Sequence, residues 1–353
     1  MTQTTTEPET KTVDRPPFSH IVVIEPLGFL YGSAGKFLSP ENLVGRSGAS
    51  FPPSAATLSG ILAAEQWQKE GDLDRLQLAG PFWAWQDSPQ NFYVPVPFNC
   101  LVKEGKLQHQ LQWHGDRWLL ADGSEPKPDK YDSGGWMQIQ DWTKLDRGET
   151  FTVEKPPWKF VPHLHPQLKD NERRVDTESQ GSLFLENAVQ LNPDACLVYL
   201  TNTKIEAGWY RFGGEGHIVN LHCESLQSQR FDDDLGRSFA IVTPAVWGSN
   251  RLSLRSPQKD VEGELQWDDR PLAALLSSRP VPFRYRLGGE EGKPKRLSRG
   301  RYAVPAGAVY VLAEGSLPCW QNWPDEWFPS EGYSLKRWGC GLALPLAAVK
   351  KSK

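Results

Sequence analysis

The sequence predicts an α+β fold dominated by strands, and three observations carry that prediction. The 353 residues include 31 Gly and 29 Pro, the two residues a helix interior tolerates least. Runs of β-branched and aromatic residues recur along the chain between turn-forming clusters. Only one segment keeps a sustained helical period.

In chain order, residues 1–17 are polar, Thr-rich and end in Pro16-Pro17, the composition of a disordered tail. They lack the basic and apolar regions of a signal peptide, which predicts a cytoplasmic protein. A strand is expected over Ile21–Tyr31, stopped by Gly32. Ser47-Gly-Ala-Ser-Phe-Pro-Pro53 reads as a turn. From Ser54 a helix follows: Ser54 is a plausible N-cap, Leu58, Ile61 and Leu62 recur at i, i+3 and i+4, and Gly71 ends it. Gly60 inside that helix costs stability unless a neighbouring backbone must pass close. Phe92–Val102 alternates like a strand, with Pro95 and Pro97 confining it to an edge or a bulge. Residues 103–160, with five Trp, read as an insertion of hairpins and loops, and the polar run 166–181 reads as the seam between two halves. Strands then resume at Ser182–Val189, Ala195–Leu200, Gly208–Val219, Ser238–Pro244 and Gly307–Leu312. A short helix is expected at Leu272–Ser277.

The charge balance, 39 Lys+Arg against 43 Asp+Glu with a net of −4, argues against coating nucleic acid by bulk positive charge. One exception is local: residues 279–301 hold eight Lys and Arg against Glu290 and Glu291, which reads as a solvated hairpin tip. Mean hydropathy is −0.52 and no 18-residue apolar run occurs, so no membrane helix is expected. Five Cys lie scattered, never as Cys-x-x-Cys, which suits reduced thiols and no zinc site.

Several apparent motifs fail on spacing. Gly32-Ser-Ala-Gly-Lys-Phe37 has Leu30 where a phosphate loop needs its first Gly, and Phe37 where it needs Ser or Thr. His163-Leu-His165 lacks a clear third ligand, and flanking prolines favour a loop. Asp232-Asp-Asp234 reads as a charged turn rather than a divalent-cation site. More specific is the closing segment, in which Gly332, Lys336, Arg337, Gly339 and Gly341 precede an apolar strand. Its backbone N–H groups and two cations suit a phosphate chain, with Gly where two backbones must approach.

That closing segment resembles the glycine-rich loop of the RAMP superfamily of CRISPR effector subunits. Four further features agree in order: Phe51-Pro-Pro-Ser-Ala-Ala-Thr-Leu-Ser-Gly60, Tyr93-Val-Pro-Val-Pro97, Arg211-Phe-Gly-Gly-Glu215 and Tyr302-Ala-Val-Pro-Ala-Gly-Ala-Val-Tyr310. Together they are similar to the third-subunit family of the type III-B (Cmr) effector, over about residues 18–347 with 103–165 matching poorly. The resemblance implies two ferredoxin-like (RRM-like) domains, 18–165 and 166–353. It also implies a non-catalytic subunit that holds the 5′ handle of crRNA, next to the large polymerase-like subunit and a backbone RAMP subunit. Carried residue by residue, it places RNA contacts on Lys336, Arg337, Gly339 and Gly341, on Arg211, Gly213 and Gly214, and more weakly on Lys36 and Arg46. No cofactor, catalytic residue or metal is implied. The alternatives are a crRNA-maturing RAMP endoribonuclease, with His20, His163 or His165 as its acid or base, and a type III-D handle-binding subunit. Outside that class stands a carbohydrate-binding protein or hydrolase using Trp platforms.

Overall fold

The computed structural model describes residues 17–31, 51–69, 75–166, 174, 183–213, 216–249, 252–285 and 297–346. The first strand, β1 (His20–Pro26), puts Val22 and Ile24 on one face and Ile21 and Val23 on the other, all fully buried. It stops at Pro26, which has no N–H to continue a ladder, so the single strand expected over 21–31 is two: β2 (Leu30–Tyr31) joins a separate sheet. Helix α1 (Ala55–Lys69) starts where the sequence indicated, with Thr57 N–H donating to Ser54 O at 2.8 Å. Its Leu58, Ile61 and Leu62 are buried. The Tyr199 hydroxyl donates to Pro53 O at 2.6 Å and fixes the helix entry. Gly60 is exposed with nothing within 4 Å of a Cβ placed there, so no close backbone explains it.

The next strands are β3 (Leu78–Trp85), β4 (Tyr93–Pro95), β5 (Trp136–Gln138), β6 (Trp158–Pro166), β7 (Leu183–Leu191), β8 (Ala195–Thr201), β9 (Gly208–Phe212) and β10 (His217–Ser225). They build a seven-stranded antiparallel sheet in the order β9-β10-β1-β8-β3-β4-β5, and a three-stranded one, β6-β7-β2. Residues 195–225 therefore complete the first sheet, and the sheet boundary falls after β10 rather than at the expected seam near 166. The hydrogen bonds between β1 and both β8 and β10 span about half the chain, which local composition does not encode. Within 103–160 the expected hairpins form at Cys100–Lys103/Lys106–Gln110 and Gln112–Trp113/Trp118–Leu119. The same stretch also supplies edge strand β5 and a short helix, α2 (Trp142–Arg147), closed by Gly148 at φ 66°.

A second sheet holds β11 (Ser238–Ile241), β12 (Gln258–Lys259), β13 (Leu265–Trp267), β14 (Arg270–Leu276), β15 (Val309–Leu312) and β16 (Ala343–Pro345), ordered β12-β13-β14-β15-β11-β16. Strand β14 replaces the helix expected at Leu272–Ser277. A short apolar run has little helical preference of its own, and pairing Leu272 and Ala274–Leu276 with β15 satisfies their backbone as a strand. Both sheets share one internal arrangement: in each, the four principal strands taken in chain order lie side by side as fourth, first, third, second (β10-β1-β8-β3 and β16-β11-β15-β14).

One core joins the two sheets. Ile21, Val23, Phe82 and Val198 of the first pack in the same cluster as Phe239, Trp267 and Tyr310 of the second, together with Trp247 and Trp323 from the connecting segments. Among the described residues six Trp (83, 142, 247, 267, 320 and 323) are fully buried, with Trp267 and Trp323 rings 4.8 Å apart. The opposite face of the first sheet is covered by α1.

Candidate nucleic-acid interface

The glycine-rich segment lies inside the seam between the sheets. Leu335–Trp338 form a 3₁₀ turn capped by Ser334, whose Oγ accepts from Lys336 N–H at 3.3 Å, and Gly339 closes it at φ 67°. A Cβ on Gly339 would fall on Ala79 of β3 and lie 2.8 Å from Leu78 O; one on Gly341 would lie 2.6 Å from the Trp247 ring. Both glycines permit a close approach, and in this chain the approaching atoms belong to its own core.

The two cations of the segment are also internal. Lys336 is 6% exposed. Its Nζ donates to Gln321 O at 2.8 Å and to Trp323 O, sits 3.8 Å from Asp325 and stands 5.7 Å over the Trp320 ring. Arg337 is 2% exposed, with its guanidinium 4.0 Å above the Tyr333 ring. A buried cation persists only with such partners, so these residues, expected at RNA, hold the seam together. The expected basic hairpin begins in the same way: Val281–Phe283 pairs with Arg301–Ala303, and Arg301, instead of being solvated, is buried 2.6 Å from Glu331. Residues 286–296, its tip, lie outside the described residues.

Arg211 is placed differently. It stands exposed on β9, the edge strand of the first sheet, directly opposite Ile218 of β10. Trp209, two residues earlier on the same face, is 77% exposed and opposite Asn220. Tyr210 and Phe212 alternate to the other face, where Phe212 is buried in the α1 cluster. Asn220 Nδ2 donates to Glu25 Oε2 of β1 at 2.8 Å, and Leu27 N–H donates to Ile218 O at 3.3 Å. Leu27 and Ile218 are 56% and 43% exposed. Gly213 follows at φ 79°, with open space around it. Gly214, Lys36 and Arg46 lie outside the described residues. The corner thus combines an aromatic plane, a guanidinium, an amide–carboxylate pair and two aliphatic side chains. The Trp-Tyr-Arg-Phe alternation was the available sequence signal for this exposed face; the contribution of Glu25, Leu27, Ile218 and Asn220 depends on long-range pairing.

The remaining expected groups stay apart. His20 Nδ1 lies 2.9 Å from Ser19 Oγ, and burial together with Lys204 holds its imidazole below the ordinary 6.5. His163 and His165 sit in strand β6, not in a loop, because Trp158–Pro166 pairs along its length with β7. Asp233 pairs with Arg230 at 3.5 Å and Asp234 accepts Cys319 N–H at 3.1 Å, as in a charged turn. Among the described residues no group of three or more His, Cys, Asp or Glu is arranged to hold a metal, and no helix is long and apolar enough to cross a membrane.

This strand-rich α+β chain is placed among the CRISPR-associated proteins by the family model that matches it. It belongs to the Cas_Cmr3 family of CRISPR-associated proteins, whose model matches residues 23–346, and so is a Cmr-type subunit of a type III effector. Similar solved structures include a chain of the type III-B Cmr-beta complex bound to cognate target RNA and AMPPnP, at 12% identity and TM-score 0.46, covering 82% of this chain and 86% of that one. A chain of the Csm3-Csm4 subcomplex of the type III-A interference complex matches at 10% identity and TM-score 0.35, covering 93% and 100%. A chain of the Csm1-Csm4 cassette in complex with cA4 matches at 13% and 0.35, covering 85% and 100%. The comparison with curated proteins gave no match.

Proposed function

We propose that this subunit is a non-catalytic RNA-holding part of its effector, gripping the 5′ handle of crRNA and bridging the large polymerase-like subunit to the backbone RAMP subunits in the cytoplasm. The observation that carries the reading is the exposed guanidinium of Arg211 at the Gly213 turn. Single-stranded RNA is held by cations on its phosphates and by aromatic planes on its bases, and this corner offers both. Lys336, Arg337, Gly339 and Gly341 support it indirectly, by locking β3 to the closing segment. The shared strand order supports two ferredoxin-like units, in which the second crossover of the first is made by the β9 hairpin in place of a helix.

The test is an effector reconstituted with Arg211→Ala. Loss of one phosphate contact lowers the salt dependence of handle-RNA binding by about 0.7 in log–log slope, and handle protection from nuclease falls with it. Unchanged slope and protection overturn this placement of the site.

A further inference from the structure

Three exposed apolar side chains, Leu27, Trp209 and Ile218, meet on one corner of the first sheet. Ile218 and Arg211 form one row across β10 and β9, continued by Leu27 just past the end of β1 through its hydrogen bond to Ile218 O, and Glu25, Asn220 and Trp209 form the next row across β1, β10 and β9. Side chains in such rows stand about 5 Å apart across strands. The face carrying these rows is the one whose other strands pack against the second sheet, but here the cover ends: Ile21 and Val23 are buried, whereas the corner beyond them is open.

We infer that this corner holds a single unstacked nucleotide, with its base on the Trp209 ring, its phosphate at Arg211 and its base edge at the Glu25–Asn220 pair. The inference rests on the RNA-holding reading above and adds the residue that takes the base. Trp209 and Arg211 are separated by about 7 Å along an extended strand, the scale of one nucleotide step. A standard protein interface buries about 800 Å² per partner around a centre depleted of charge. Among the described residues, Arg211 and the Glu25–Asn220 pair sit with the three apolar side chains Leu27, Trp209 and Ile218, a mosaic that fits one base, one phosphate and one base edge. The Glu25 carboxylate accepts from Asn220 and keeps lone pairs for an exocyclic amine. Adenine, cytosine and guanine offer an exocyclic amine, whereas uracil offers only its recessed ring N3–H between two carbonyl oxygens that the carboxylate repels, so the pocket prefers the amine-bearing bases.

The experiment uses the reconstituted effector and synthetic handle RNAs substituted one position at a time with uridine or with a photo-crosslinking pyrimidine. Trp209→Ala weakens handle binding about 5- to 100-fold, the range of one lost base–aromatic stack, and leaves the salt slope unchanged because no charge is removed. Trp209→Phe restores most of it, one RNA position crosslinks to Trp209, and Glu25→Gln abolishes the penalty for uridine there. If the unsubstituted effector fails to protect the handle, the RNA-holding reading falls. If it protects the handle but Trp209→Ala binds equally tightly, the reading stands and the nucleotide site is overturned. Loss of a protein subunit from the Trp209→Ala complex, with RNA affinity of the isolated chain unchanged, makes the corner a protein contact and also overturns it.

Discussion

Gly339→Ala separates a glycine that serves the chain's own packing from one kept open for RNA. Two effects act at this position. A non-glycine residue at φ 67° costs about 1–2 kcal/mol for left-handed backbone. Its Cβ would also fall on Ala79 and lie 2.8 Å from Leu78 O. Both are atoms of β3, which is held between β8 and β4 and cannot move aside cheaply, so overpacking adds about 1–3 kcal/mol. The expected loss is about 2–5 kcal/mol. Gly213→Ala is the internal control: its φ of 79° is similar, but nothing lies within 4 Å of the added atom, so only the about 1–2 kcal/mol of backbone strain applies. Urea unfolding of the isolated chain, followed at constant m, measures both. Equal losses for the two variants would refute the argument, because they would mean that the space beside Gly339 is not filled by β3.

Two further outcomes follow from burial and local geometry. Gly60→Ala, at an exposed helical position with room for a methyl group, raises stability by about 0.5–1 kcal/mol; a lower urea midpoint for the variant would contradict the open placement of that helix face. Burial pushes the thiols of Cys196 and Cys340 up to about 12 from an ordinary 9.0. The fold keeps protons that the unfolded chain releases, so their contribution is full below pH 9 and is lost as pH rises from about 9 towards 12. The urea midpoint is expected to fall between pH 8 and 9.5, less steeply for the Cys196→Ala/Cys340→Ala variant; identical slopes would show that other groups drive the loss.

Much of the local structure was legible in the sequence. Pro52-Pro53, Ser54 and the spacing of Leu58, Ile61 and Leu62 located α1 because helix entry and amphipathicity are encoded within a few residues. Strand β14 was misread because Leu272–Leu276 is a short apolar run without alternation, and only its partner β15 decides between helix and strand. The membership of the first sheet is hidden for a related reason: β8 and β10, which follow the polar run 166–181, find neighbours in β1 and β3, more than a hundred residues away in sequence. At the closing segment, a glycine flanked by Lys and Arg signals that something comes close. It does not say whether the approaching group is a phosphate or Ala79, and Lys336 finds its counter-dipoles in Gln321 and Trp323 carbonyls rather than in a ligand.

The open corner has a structural cause in the path from β8 to β10. Thirteen of the residues between those strands, 202–213 and 216, are described and none is α-helical; instead β9 adds a further strand at the sheet edge. A strand presents alternate residues to both faces. Phe212 thereby enters the layer under α1, while Trp209 and Arg211 are carried to the face that the second sheet covers only as far as β1. Burying those two side chains would require the second sheet to extend past Val23, the last residue of β1 in the cluster it shares with β3, β4 and β8. Trp209 therefore stays 77% exposed as a consequence of topology. A large aromatic surface left in water is costly unless a partner covers it, and the guanidinium two residues away favours an anionic one.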